Sequence, residues 1–209
     1  MQKKYFTVMT GWMMALLPAL AYAHSEHEAK SFMGGLLHPL LGTDHLLAML
    51  SVGIISALIG GSAVFWVPGA FVAFMLIGGI IGVLGVVLPH IEIGIAVSVL
   101  FLGAGVAVPR QSPIWLTMGV VGLFGSLHGN AHGVEMPSAA VPAFYTFGFI
   151  ACTALIHMIG VGIGYIPQLH SRNRLPMGVV GLAISTMGLF FLLKQGMPTY
   201  FVSMLGTPQ

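Results

Sequence analysis

From His45 to Ile91 the chain carries no Asp, Glu, Lys or Arg. Between Lys30 and Lys194 only Asp44, Glu92, Arg110, Glu135, Arg172 and Arg174 interrupt the uncharged sequence. Soluble domains carry about 25% charged residues; this one carries 6%, with 57% hydrophobic residues and a mean hydropathy of +0.98. So few charges cannot cover a soluble protein of 209 residues. The apolar runs are continuous, whereas outer-membrane strands alternate over about ten residues, so the chain is predicted to be an all-α, polytopic transmembrane helix bundle. A net charge of +2 gives no basis for nucleic-acid binding. The lone Cys152 can form neither an internal disulfide nor a thiolate metal site.

The first 23 residues read as a secretory signal. Lys3 and Lys4 precede an apolar stretch from Tyr5 to Leu20, and Ala21-Tyr22-Ala23 is a small-x-small cleavage site. Cleavage would leave a mature domain, 24–209, that starts at His24. Six spans of roughly membrane length follow: about Phe32–Leu58, Ala63–Leu88, Ile93–Val108, Ile114–Leu127, Ala139–Ile166 and Met177–Leu193. An outside N-terminus and six spans return the C-terminus outside. Arg110, Arg172 and Arg174 then lie inside, as the positive-inside rule expects, and all five acids lie on the outer side. The continuous apolar runs argue against an outer-membrane destination. Glycines such as Gly78, Gly79, Gly82, Gly85, Gly119 and Gly162 are read as helix-packing positions. No internal repeat is recognisable.

Nine histidines outnumber the acids, and ionisable residues at membrane depth mark functional sites. The first constellation is His38-Pro39-Leu40-Leu41-Gly42-Thr43-Asp44-His45. On an unbroken helix His38 and His45 would share a face but stand about 10 Å apart along the axis, too far for one ion. Pro39 and Gly42 make a bend plausible. Asp44 either lines a cleft with His45, or holds its imidazole N–H and so fixes the tautomer, or sits near the positive end of a helix. The second constellation is His128-Gly129-Asn130-Ala131-His132-Gly133-Val134-Glu135. His128 and His132 have the i,i+4 spacing that lets two imidazoles bind one ion from one helix turn, and Glu135 can share their face. The zinc-protease pattern requires Glu directly after the first His, where this chain has Gly129. Weaker metal candidates are His24, His27, His90, Glu92 and His157; the fourteen methionines are scattered and read as packing. Imidazole with carboxylate suits Ni²⁺, Co²⁺ and Zn²⁺ better than Cu(I) or Mg²⁺.

HPLLGTDHLLAMLSVG together with SLHGNAHGVE resembles the HupE/UreJ family of hydrogenase and urease accessory membrane proteins over essentially the whole chain. The resemblance implies an inner-membrane nickel or cobalt permease without enzymatic activity or prosthetic group, linked to metal supply for hydrogenase, urease or cobalamin. It places the family's first motif on His38, Asp44 and His45. The second falls on His128, Gly129, Ala131, Gly133 and Glu135, with His132 in a variable position. The expected partners are the bilayer and a divalent ion, with a homo-oligomer left open. Two other classes compete: a membrane zinc metalloenzyme with Glu135 as base, and a periplasmic-side metal scaffold that does not transport.

Overall fold

Uninterrupted apolar sequence in a medium without water must satisfy its backbone internally, and helices do this segment by segment. The computed structural model describes residues 26–108, 112–169 and 175–196. They form seven helices and no strand: α1 (Glu26–Leu41), α2 (Thr43–Ile59), α3 (Ala63–Val83), α4 (Ile91–Ala107), α5 (Ile114–Val134), α6 (Pro142–Leu169) and α7 (Leu175–Gly196). The signal segment, His24, Arg110, His170, Arg172 and Arg174 lie outside the described residues.

Three of the departures from the predicted spans have a local cause. The first span is two helices interrupted at Gly42, whose backbone is extended (φ −95°, ψ 110°). α3 stops at Val83 rather than Leu88 because Gly85 turns into the left-handed region at φ 86°. α5 continues past Leu127 to Val134, so both of its histidines are helical. By length and hydropathy α3, α6 and α7 can each cross a membrane, and the α1–α2 pair makes a fourth candidate. α4 is shorter at 17 residues, and His128, Asn130 and His132 lower the hydropathy of α5. Trp66, Phe74, Ile77 and Ile80 of α3 and Trp115 and Leu123 of α5 are exposed, the outward apolar surface of a chain solvated by lipid.

Two compact units can be distinguished. One comprises residues 26–39 with Met136–Cys152. In it α1 meets the start of α6 through Gly35, which lies on the Tyr145 carbonyl, and Gly148, which lies on the Phe32 carbonyl. The Ser31 hydroxyl accepts a hydrogen bond from the Val141 N–H at 3.0 Å.

The other unit comprises Leu40–Glu135 with residues 153–196. Its most extensive helix pair is α3 with α5, followed by α4 with α7. Glycines set both contacts. A Cβ on Gly78 would overlap the Ser126 carbonyl, and one on Gly129 the Met75 carbonyl. A Cβ on Gly181 of α7 would overlap Ala107 of α4. α2 meets α6 in the same way, through Gly53 on the His157 carbonyl and Gly160 on the Leu50 carbonyl. The packing reading therefore holds for Gly78 and Gly82 but not for Gly85, Gly119 or Gly162, where a Cβ would meet no atom within 4 Å.

These contacts separate two kinds of glycine by measurement. Gly129→Ala forces backbone against backbone and should destabilise the detergent-solubilised chain by about 1–3 kcal/mol, seen as a lower thermal unfolding midpoint. Gly119→Ala meets no atom and should not lower the midpoint.

Candidate metal centre

Asp44 is in the first turn of α2, where the exposed N–H ends of the helix favour a carboxylate. Its Oδ1 accepts two hydrogen bonds from His45, one from the backbone N–H and one from ring Nδ1, each 2.9 Å. Two of the sequence readings of Asp44 are thus seen together: it holds the imidazole, and it does so from a helix N-terminus. With the Nδ1 proton given to the carboxylate, the Nε2 of His45 keeps its lone pair. That nitrogen is buried and has no hydrogen-bond partner among the described residues. Gly42 serves this geometry as well as the helix break. A Cβ there would stand 2.8 Å from His45 Nδ1 and 3.1 Å from Asp44 Oδ1.

α5 presents the other half of the cluster. His128 is wholly buried, and its Nδ1 donates to the Phe124 carbonyl one turn earlier at 2.9 Å. The carbonyl can only accept, so His128 also directs a lone pair from Nε2, again buried and unpartnered among the described residues. The His45 ring lies 4.9 Å from that of His128 and 4.3 Å from that of His132, centroid to centroid. His132 Nδ1 is 3.6 Å from Glu135 Oε2, and Glu135 is half exposed. Three imidazoles from two helices therefore converge, with one carboxylate behind His45 and another at the more open end. The histidines of predicted spans one and four that lie side by side are His45 of α2 and His128 and His132 of α5. Glycines 129 and 133 do not unwind α5; they admit α3 at its back.

The remaining sequence candidates are distributed differently. His38 belongs to the first unit, where its ring packs against Tyr145 and Phe149 at 5.9 and 6.3 Å. His27 is exposed on α1. His90 and Glu92 are exposed at the start of α4, and His90 is the one non-glycine residue with positive φ among those described. His157 is buried on α6 with neither ring nitrogen hydrogen-bonded among the described residues.

Asn130 is a residue whose role sequence reasoning misses. Fully buried between the two histidines of α5, it faces the segment after α3. Its Oδ1 accepts from the Leu88 N–H at 3.0 Å, and its Nδ2 donates to the Val86 carbonyl at 2.8 Å. The side chain thus ties the loop leading to His90 and Glu92 onto the helix that carries the site. A polar residue inside an apolar stretch is the signal available in the sequence.

The family described as HupE / UreJ protein matches residues 12–191 of this chain. The chain belongs to the HupE/UreJ family. The protein named "Protein HupE" from Rhizobium leguminosarum bv. viciae is 36% identical over 189 residues, covering 90% of this chain and 98% of that protein. No solved structure matches. Within this HupE/UreJ chain, Asp44 and His45 of the first motif and His128, His132 and Glu135 of the second fall in one unit.

The Asn130 clamp generates a test. Asn130→Leu leaves the Leu88 N–H and the Val86 carbonyl without their partner. It should cost about 1–3 kcal/mol and speed proteolytic cleavage within residues 84–89, while circular dichroism still reports a fully helical chain. Unchanged cleavage there would show that the clamp does not hold the loop.

Proposed function

We propose that this HupE/UreJ protein carries a divalent transition-metal ion, Ni²⁺ or Co²⁺, across the inner membrane into the cell. The observation that supports the reading most is the pair of buried imidazoles, His45 and His128, whose Nδ1 protons are committed to Asp44 and to the Phe124 carbonyl. Each is left with an Nε2 lone pair inside an apolar bundle, and such groups are the natural ligands of borderline divalent ions. The family's association with hydrogenase and urease points to the same metals.

In this account Glu135 meets the ion at the exposed end, and His132, His45 and His128 replace part of its water shell. The Asp44 carboxylate offsets the charge and keeps the His45 tautomer fixed. Binding by a few imidazoles, without a closed four-ligand cage, leaves the ion able to depart. His38 enters the proposal on its motif alone. The site faces the periplasm, with both chain ends on that side, as the distribution of Arg110, Arg172 and Arg174 suggests. The ion is cargo, and the account invokes no chemical reaction.

Radiolabelled nickel uptake into liposomes containing the purified protein tests the proposal. His45→Ala and Glu135→Ala should each lower uptake by about 10–100-fold. The double variant should be little slower than either single one, since residues on one path are non-additive. Asp44→Asn keeps the shape and loses the charge, so it should approach the His45→Ala rate. Full uptake by well-expressed Asp44→Asn and Glu135→Ala proteins would refute the assignment of these residues to the path. Magnesium should not compete with nickel, because imidazole ligands favour the softer ion; equal uptake of both would contradict the selectivity.

A further inference from the structure

One buried polar group has no part in the site just described. His157 is 3% exposed on α6, and both of its ring nitrogens are buried without a hydrogen bond among the described residues. One turn earlier on the same helix, Thr153 is completely buried, and its Oγ1 also lacks a partner among those residues. Positions four apart share a helix face. A threonine in a helix ordinarily returns its hydroxyl to the preceding turn, as Thr186 does to the Leu182 carbonyl at 2.9 Å. Thr153 does not. Buried polar atoms without partners are rare enough that each calls for a physical account, and two on adjacent turns call for a shared one.

Phe71 of α3 connects this pair to the metal centre. It is wholly buried, with its ring centroid 5.5 Å from the ring of His128 and 5.3 Å from that of His157, the latter edge-on at 87°. A single phenyl ring therefore touches a histidine of the centre and the isolated histidine. Close backbone contacts hold the segments that carry the Phe71 and His157 rings. Gly125 of α5 lies against the Phe71 carbonyl, and Gly53 of α2 lies against the His157 carbonyl.

We infer that His157 and Thr153 form a second, transient binding point for the hydrated divalent ion, reached from His128 past the ring of Phe71. This rests on the transport reading and deepens it. The imidazole supplies one nitrogen ligand, the Thr153 oxygen accepts a hydrogen bond from the ion's water shell, and the remaining positions stay aqueous. A point with one protein ligand binds weakly, and weak successive sites let an ion enter a path and also leave it. The Phe71 ring, in contact with His128 and with His157, stands at both points.

The inference predicts that polarity at position 157, and not side-chain volume, sets the transport rate. The full chain is purified and divided between two assays: Co²⁺ binding by equilibrium dialysis in detergent, and Co²⁺ uptake into liposomes. His157→Leu fills the space and removes the ligand. It should bind Co²⁺ like the wild type, because the three-imidazole centre is intact, yet transport about tenfold more slowly or worse. His157→Gln retains a polar oxygen and should recover part of the rate; it also covers the case in which the leucine variant does not fold. Wild-type uptake by folded His157→Leu, or uptake by folded His157→Gln no faster than that of a protein-free bilayer control, would overturn the inference and leave the transport reading standing. Loss of Co²⁺ binding together with uptake would overturn it too, by making His157 a support of the first centre. A wild-type protein that moves no Co²⁺ or Ni²⁺ would overturn the transport reading and the inference with it.

Discussion

The close approach of α3 to α5 is the contact on which the rest of the molecule depends. Gly78 and Gly82 on one helix and Gly125, Gly129 and Gly133 on the other bring backbone onto backbone. In lipid there is little hydrophobic gain from pairing helices, so dispersion between closely packed surfaces and buried hydrogen bonds has to supply the association. The same approach has a second effect. The glycines at 129 and 133 alternate with the polar residues at 128, 130 and 132, so one helix segment packs on α3 while presenting imidazoles to α2 and an amide to the loop after α3. A larger residue at the glycine positions would push α5 away and disperse all three sets of contacts together.

Within the apolar bundle, hydrogen bonds decide what each imidazole can do. A neutral histidine carries one N–H and one lone pair, and the partner of the first fixes the position of the second. Asp44 holds the N–H of His45 with a charged acceptor, and the Phe124 carbonyl holds that of His128 with a neutral one. Both rings are thereby committed to offering Nε2. Asp44 stands in the first turn of α2, and Gly42 leaves the room that the Asp44–His45 pair occupies. The features of the first motif are thus linked: the break that ends α1 also shapes the space beside His45.

Much of this is legible in the sequence, because membrane helices announce themselves by hydropathy and ligands by residue type. The helical class, the pairing of α2 with α5 and the option that Asp44 orients His45 all follow from hydropathy, residue type and spacing. Helix ends are less legible for a definable reason. Hydropathy stops at the first polar residues and so ends the fourth span at Leu127, whereas backbone hydrogen bonding continues through His128 and His132 to Val134. Gly85 reads as a packing residue but acts as a turn, since sequence alone does not give φ. The contacts of Phe71 and Thr153 are not legible, and for the Asn130 clamp the sequence shows only a polar residue in an apolar stretch. Their meaning comes from contacts with distant segments, and a phenylalanine in an apolar span carries no local mark of the imidazoles it touches.

Central to the account is that His45, His128 and His132 bind a divalent ion through nitrogen while Asp44 holds His45 from behind. X-ray absorption of the Co²⁺-loaded protein measures this directly. The account predicts a shell of nitrogen and oxygen ligands with the multiple-scattering signature of at least two imidazoles, no sulfur, and loss of one imidazole in His45→Ala. A sulfur shell, an all-oxygen shell, or a wild-type spectrum in His45→Ala would contradict it.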